Sequence, residues 1–369
     1  MNADARLNPP PDMPPDSPHI WQTEPPHLQT MTEVTPERAH ELAERLANLG
    51  RAVRSHVASG LDPATASRAV GVQGGDTIFA IDKRVEPLIA AHFDSWPEID
   101  KPFLLVEEGL GTDGHRQFGA ARPCRWRLLI DPIDGTRGIM YDKRSAWFLA
   151  AIAPDRGEST SLSDCIAAAM VELPTSKQAW GDVFTATAGG RVHAYRERLG
   201  STERVRFAAR PSQEASLRYG FGHVADFFPG TRLLAADLME TITAATTGSI
   251  RAGDAAIFND QWISTGGQMV ELMVGHDRFC CDLRPLFFDI LERKAGRAIA
   301  RGLECHPYDI SGMLVARQAG VVLTDGWGNP LDAPFSVDRP VHWCGYANEH
   351  LRTAIEPVIL RWLRKHLSA

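Results

Sequence analysis

Residues 128–136 read Leu-Leu-Ile-Asp-Pro-Ile-Asp-Gly-Thr, and the interpretation of the whole chain begins with them. Three apolar residues, typical of a buried strand, lead to two carboxylates, Asp131 and Asp134, which are three residues apart. Because Pro132 fixes its backbone φ angle, we expect a sharp turn that brings both carboxylates and the carbonyl group of Ile133 to one point. Hard cations such as Mg²⁺ prefer this all-oxygen set of ligands.

The two residues that follow add groups suited to a phosphate. Gly135 and Thr136 can offer backbone N–H groups to an anion, and the Thr136 hydroxyl can orient a water molecule. An ordinary turn would explain an Asp-Pro or Asp-Gly dipeptide alone. The six-residue string at 131–136 is too specific to be expected by chance in a chain of this length at average residue usage, so it indicates a functional site.

The same six residues match the signature of the inositol monophosphatase family, which belongs to the lithium-sensitive, fructose-1,6-bisphosphatase-like superfamily of Mg²⁺-dependent phosphatases. The resemblance covers about residues 35–355 and implies an α+β fold, a layered αβαβα sandwich. Three further segments resemble family motifs and occur in the expected order: Asp76 and Asp82 at the head of a helix, Glu107-Glu108 after an apolar strand, and residues 306–312 leading to 319–325.

The resemblance implies a metal centre with two or three Mg²⁺ ions. Glu108, Asp131 and the carbonyl group of Ile133 would hold the first ion. Asp131, Asp134 and Asp309 would hold the second, so that Asp131 is shared. Electrostatics favours the same reading, because carboxylates that converge without partners repel one another and need cations to be stable together.

The resemblance also implies catalytic and substrate-binding residues. Asp82 and Thr136 would orient and deprotonate the attacking water, and Glu108 joins them as a catalytic residue. The substrate would contact Gly135, Thr136, Ser264, Thr265 and Asp282.

Several positions depart from the family pattern. Gly109 stands where a serine usually follows the two glutamates, and Tyr308 replaces a tryptophan. Gly71 occupies the place of an expected lysine, which bears on a third metal or lithium site. Extra residues near 196–260 and 286–302 lengthen the chain, and we expect them to shape the substrate pocket.

Apolar periodicity predicts the elements around these motifs. We divide the chain into a disordered proline-rich arm (1–30), an N-terminal α+β metal-binding half (31–195) and a C-terminal α/β half (196–369) that completes the site. Helices are predicted from 36 to 60, after residue 82, and at 233–246, 268–274, 310–319 and 350–366, the last interrupted near Pro357. Strands are predicted at 103–106, 126–130, 146–153, 165–173 and 321–324.

Composition narrows the class of protein. The 369 residues are 44% hydrophobic and 23% charged, as in ordinary globular chains, and a net charge of −7 argues against nucleic-acid binding. No apolar run approaches the ~18 residues of a membrane helix, and no secretory signal is visible, so we expect a cytoplasmic protein. The six cysteines lack paired spacing and indicate free thiols.

We therefore predict a Mg²⁺-dependent phosphomonoesterase that acts on a small phosphorylated polyol or sugar similar to inositol 1-phosphate, and, from the family, a homodimer. Fructose 1,6-bisphosphate or a 3′(2′),5′-bisphosphate nucleotide is the alternative substrate. Two distant alternatives are a catalytically silent binding protein of the same fold and an NAD-dependent oxidoreductase. The latter would use the Gly-x-Gly-x-x-Gly pattern at 109–114, which no apolar helix follows in the sequence.

Overall fold

The computed structural model describes residues 34–59, 66–73, 76–111, 113–120, 123–248 and 250–367, and gives only the backbone of residues 72, 73 and 76–78. The predicted arm at 1–30 lies outside the described residues. The first helix begins where the sequence predicts, because the Thr35 hydroxyl accepts the N–H of Arg38 and Pro36 occupies the first turn. The first elements are α1 (Pro36–Ala58), the hairpin strands β1 (Ala69–Gln73) and β2 (Asp76–Phe79), and α2 (Ala80–Asp94).

An eight-stranded sheet follows in the chain. Its strands have the spatial order β10-β9-β8-β7-β6-β5-β3-β4, and all neighbours are antiparallel except β3 and β5. The elements are β3 (Phe103–Glu107), β4 (His115–Phe118), β5 (Trp126–Asp134), the short helix α3 (Thr136–Ile139), β6 (Ala146–Pro154), β7 (Ala167–Leu173), β8 (Trp180–Thr187), β9 (His193–Arg198) and β10 (Arg204–Phe207).

The rest of the chain builds a four-stranded sheet and its helices. The strand order is β11-β12-β14-β13, with only β11 and β12 parallel. The elements are β11 (Phe221–Val224), α4 (Arg232–Thr247), α5 (Thr265–Met273), β12 (Asp277–Asp282), α6 (Arg284–Ala295), α7 (Met313–Ala319), β13 (Val322–Thr324), β14 (Trp343–Tyr346) and α8 (Glu349–Leu367).

The elements stack in five layers. Helix α1 packs on β6, β7 and β8 and also contacts α2, on one face of the large sheet. Helices α5 and α7 contact strands of both sheets and so lie between them. Helices α4 and α8 pack on each other and on β11 and β14, and α6 packs on α8. The predicted α+β fold, a layered αβαβα sandwich, is confirmed, whereas the domain boundary at residue 195 stays a prediction.

The structure corrects the prediction for the last helix. Helix α8 runs without interruption through Pro357. A proline in a helix interior removes one backbone hydrogen bond, and here a buried apolar face outweighs that loss. The residues of that face are Leu351, Ile355, Val358, Ile359, Trp362 and Leu363.

Two expectations from composition can be compared with the structure. None of the helices in the described part of the chain combines the length and the apolar character needed to cross a membrane. All six cysteines are free thiols, and all except Cys124 are buried.

Gly50 sets how closely α1 approaches the large sheet. A Cβ atom added to Gly50 would lie 2.6 Å from Cδ1 of Phe148 and 2.6 Å from Cγ2 of Val171. We expect Gly50→Ala to lower the free energy of unfolding by about 1–2 kcal/mol, because overpacking outweighs the better helix propensity of alanine. Denaturant titration measures the change. Ser55→Ala, at an exposed position of the same helix, is the control, and equal stability of the two variants would contradict the tight packing.

Candidate metal centre

The two carboxylates of the central motif face the same side because β5 contains a bulge. Asp131 lies opposite Leu149 of β6 and Asp134 lies opposite Trp147, so three steps along β5 match two steps along β6. The extra residue shifts the alternation of side chains, which lets residues three apart share a face. The prediction of a sharp turn after the first carboxylate was wrong, since the strand continues to Asp134 and the chain turns at Gly135.

Gly135 permits a close approach between this turn and the segment before α5. Its φ angle is +97°, and an added Cβ would lie 2.9 Å from Cβ of Ser264 and 3.1 Å from the carbonyl oxygen of Ile263. A residue with a side chain would be strained by both the backbone angle and the contact. The glycine therefore allows Ser264 to reach the end of β5.

The structure brings together the predicted pair Thr136 and Asp82. The Thr136 Oγ1 atom lies 3.0 Å from Oδ1 of Asp82 and 2.8 Å from the carbonyl oxygen of Ile133. Asp82 is fixed in turn, because its Oδ2 accepts the backbone N–H of Phe79 at 2.8 Å. The backbone of Asp76 belongs to β2, and its side chain lies outside the described residues.

Three carboxylates form one acidic cluster. One oxygen each from Asp131, Asp134 and Asp309 lie within 4.8 Å of one another. Asp131 and Asp134 are buried, and Asp309 is half-buried in a 3₁₀ turn (Tyr308–Ile310). The Asp309 Oδ2 accepts the backbone N–H of His306 at 2.6 Å, which fixes its orientation.

Burial and mutual repulsion disfavour the charged form of this cluster. Burial raises the pKa of Asp131 well above its usual range, and the negative charges of Glu108, Asp134 and Asp309 raise it further. Burial also raises the pKa of Asp134, to about 6, although hydrogen bonds to its carboxylate oppose the shift. A bound cation would remove both penalties.

The N-terminus of α5 supplies those hydrogen bonds to Asp134. Its carboxylate accepts the Ser264 hydroxyl at 2.8 Å and the backbone N–H groups of Thr265 and Gly266 at 3.1 and 2.6 Å. The Ser264 hydroxyl also accepts the N–H of Gly267 at 3.0 Å, as an N-cap residue. Ser264 and Thr265 thus position a carboxylate of the cluster, and their contact with substrate stays a prediction.

Most of the predicted residues line one small cavity of about 50 Å³. Asp82 lines a smaller cavity together with Glu108 and Ile133. The predicted residues in the larger cavity are Glu108, Asp131, Ile133, Asp134, Gly135, Thr136, Ser264, Thr265 and Asp309.

Asp282 forms an ion pair with Arg284, a residue that belongs to none of the sequence motifs. It is fully buried, and both of its carboxylate oxygens accept hydrogen bonds from the guanidinium group of Arg284. Of the two residues, Arg284 lines the cavity. The predicted contact between Asp282 and a sugar hydroxyl stays a prediction.

Four further residues that line the cavity lie outside the sequence motifs. Arg137 directly follows the signature, and Glu304 lies two residues before the His-Pro-Tyr-Asp segment. Phe227 and Phe228 fall in a region without clear periodicity. Among these residues, only Arg137 could have been assigned to the cavity from the sequence, because it is adjacent to the signature.

The first glutamate of the Glu-Glu pair is completely buried. No described residue offers a hydrogen-bond partner to either carboxylate oxygen of Glu107. Burial raises its pKa to about 8, and the nearby charge of Glu86 contributes. The group is therefore mostly protonated at neutral pH, whereas Glu108 lines the cavity.

The glycine pattern at 109–114 joins two antiparallel strands. The β3 and β4 strands pair from Phe103 opposite Phe118 to Val106 opposite His115. A dinucleotide site needs a helix directly after the glycines, and here the described residues continue into β4. The geometry does not support the oxidoreductase alternative.

We expect a divalent cation to stabilise the protein more strongly at pH 8 than at pH 5. The pKa values of Asp131 and Asp134 are raised on folding. Without a cation, the free energy of unfolding therefore falls as the pH rises through about 6, where Asp134 ionises, and the ionisation of Asp131 lowers it further. At pH 5 a cation must displace the proton of Asp134, whereas at pH 8 this carboxylate is already ionised. Thermal melting with and without millimolar Mg²⁺ measures the difference.

Asp131→Asn should reduce this Mg²⁺-dependent rise in melting temperature and should raise the melting temperature without Mg²⁺ at pH 8, because one repelling charge is removed. The exposed Asp338→Asn is the matched control and should change neither value. An unchanged Mg²⁺ effect in Asp131→Asn would exclude the acidic cluster as the cation site.

Known structures share this architecture at low sequence identity, although no protein-family model and no curated protein matches the sequence. The chain is similar to fructose-1,6-bisphosphatase of Leishmania major in holo form, with a TM-score of 0.62 and 11% identity, over 89% of this chain and 95% of that one. It is also similar to a structure described as an inositol monophosphatase–fructose 1,6-bisphosphatase (TM-score 0.58, 14% identity, 86% of this chain and 98% of that one).

A third similar structure is a Pyrococcus horikoshii protein described as having similarities to inositol-1 monophosphatase. Its TM-score is 0.55 at 15% identity, and the match covers 88% of this chain and 98% of that one. The resemblance seen in the motifs is thus confirmed at the level of the fold. This chain has the fold of the inositol monophosphatases and fructose-1,6-bisphosphatases.

Proposed function

We propose that this chain is a Mg²⁺-dependent phosphomonoesterase of the inositol monophosphatase family, which hydrolyses a small phosphorylated polyol or sugar by attack of a water molecule. One observation carries the proposal: the carboxylates of Asp131, Asp134 and Asp309 converge on a cavity that Thr136 also lines, and Thr136 contacts Asp82. The fold and the four sequence motifs support the same assignment.

The donor set fits Mg²⁺. Glu108, Asp131 and the carbonyl group of Ile133 would hold one ion, and Asp131, Asp134 and Asp309 would hold a second. All these ligands are oxygen atoms, and burial raises the pKa values of Asp131 and Asp134, a penalty that a bound cation would remove. Bound Mg²⁺ supplies a water of lowered pKa, polarises the phosphoryl group and stabilises the leaving oxygen.

Thr136 and Asp82 would position the attacking water and receive its proton. The Thr136 hydroxyl has one proton, which it can donate to Oδ1 of Asp82 at 3.0 Å. Its lone pairs are then available to a water, whose proton can pass through Oγ1 to the Asp82 carboxylate. The hydrogen bond from Phe79 N–H to Oδ2 keeps Asp82 in the orientation that this relay needs.

Other residues would place the phosphate in line with the water. The backbone N–H groups of Gly135 and Thr136 are proposed donors to its oxygens, because they belong to the turn that lines the cavity. Phosphoryl transfer needs mainly positioning and charge stabilisation, so no covalent phosphoenzyme is required. We further propose a cytoplasmic homodimer; six free thiols suit a reducing compartment.

We expect phosphate release from inositol 1-phosphate or a related phosphomonoester to depend on Mg²⁺ and to fall by orders of magnitude in Asp131→Asn, because the metal cluster loses a shared charge. Thr136→Ala should lower kcat by about a hundredfold by removing the proton relay, and Thr136→Ser should retain most of it. Colorimetric phosphate detection over a panel of phosphomonoesters measures these rates.

The panel also tests the alternatives. If no phosphomonoester is hydrolysed although Mg²⁺ still raises the melting temperature, the result would favour a binding protein without turnover. Wild-type turnover in Asp131→Asn at saturating Mg²⁺ would refute the assignment of the site.

A further inference from the structure

The cavity at the acidic cluster has a second, basic and aromatic set of lining residues. Arg137 and Arg284 both lie against the ring of Phe228, with guanidinium carbons 5.3 and 5.5 Å from its centroid. Arg284 also lies 5.2 Å from the ring centroid of Phe227, and Arg137 lies 5.6 Å from that of Phe79. Two cations are thus held by aromatic faces within reach of one cavity.

Arg284 is immobilised as well as buried. Its side chain is 5% exposed, and its Nε and Nη2 atoms donate to Asp282 at 2.9 and 2.5 Å. The Nη1 atom donates to the carbonyl oxygen of Leu303 at 2.9 Å. A guanidinium group has five N–H donors, so these contacts within the described residues leave one N–H on each terminal nitrogen for a ligand.

This arrangement suits recognition better than stability. A buried ion pair adds little net stability compared with well-packed apolar residues, yet here the pair lies at the cavity that contains the acidic cluster. Because Asp282 and the aromatic rings hold the guanidinium group in place, a ligand that binds to it meets little loss of side-chain entropy.

The charges of this basic wall indicate the kind of ligand. Guanidinium groups match the paired oxygens of phosphate and carboxylate groups and can bind them through two hydrogen bonds. Glu304 also lines the cavity. Its Oε1 atom lies 3.3 Å from Nη1 of Arg301, and this guanidinium group counters the charge of Glu304.

We propose that Arg284, together with Arg137, determines specificity by binding a second anionic group, a phosphate or a carboxylate, on the leaving group of the substrate. This inference rests on the phosphatase function proposed above. The acidic cluster would bind the phosphate that is cleaved, and the arginines would select substrates that carry a further negative charge.

Two matched pairs of phosphomonoesters test the proposal. Fructose 1,6-bisphosphate and fructose 1-phosphate differ by a phosphate, and 2-phosphoglycerate and glycerol 2-phosphate differ by a carboxylate in place of a hydroxymethyl group. The wild-type enzyme should prefer the more anionic member of at least one pair by tenfold or more in kcat/KM, and the preferred pair identifies the group. No preference in either pair would overturn the proposal.

The variants remove the proposed contact without leaving a charge buried alone. In Asp282→Asn/Arg284→Gln, and separately in Arg137→Gln, the preference for the more anionic substrate should fall by about tenfold, mainly through KM. The matched control is Asp182→Asn/Arg196→Gln, which removes another bidentate ion pair away from this cavity and should keep the preference. A preference that survives in both test variants would contradict the role of the arginines.

Binding measurements separate this proposal from the proposed function. Calorimetric titration of the four compounds with Mg²⁺ gives Kd values whether or not turnover occurs. If no compound is hydrolysed, the phosphatase proposal fails, and tighter binding of the more anionic compounds that is lost in the variants still supports the anion site. Equal Kd values within both pairs would overturn it.

Discussion

Several carboxylates buried close together are the constraint on which the rest of the structure depends. Oxygens of Asp131, Asp134 and Asp309 lie within 4.8 Å of one another, and burial and the neighbouring negative charges both raise the pKa of Asp131. An apolar core alone could not hold such groups in place. The surrounding elements supply fixed donors for the carboxylates and a precise backbone path between them.

Each layer of the fold contributes one part of that solution. The large sheet provides the bulged end of β5, α2 provides Asp82, and the layer between the sheets provides the N-terminus of α5 for Asp134. The 3₁₀ turn before α7 adds Asp309. Because these elements are far apart in the chain, the cluster exists only when the large sheet and the segments that pack against the end of β5 have assembled.

The convergence of Asp131, Asp134 and Asp309 could be predicted from the sequence because short local motifs contain all three residues. Carboxylates at fixed spacing after an apolar strand predict a cation site even where the expected backbone path is wrong, as it was between Asp131 and Asp134. The bulge depends on pairing with β6, and the continuity of α8 through Pro357 depends on burial of its apolar face. Neither can be read from a local pattern. The strands β9 and β10 are short and partly exposed, so their sequences lack the apolar alternation from which a strand can be predicted.

The residues that the sequence did not reveal share a physical origin. Long-range packing brings Arg284, Phe227 and Phe228 to the cavity. Hydrogen bonds to Asp282 and to the carbonyl group of Leu303 fix the position of the Arg284 side chain. Short motifs predict the acidic half of the cavity, and the proposed reaction rests on that half. The basic and aromatic half follows from tertiary structure, and the charge of Asp309 acts on Arg284, so the two halves are electrostatically coupled. Under the proposed function, the acidic half would carry the chemistry and the basic half would select the leaving group.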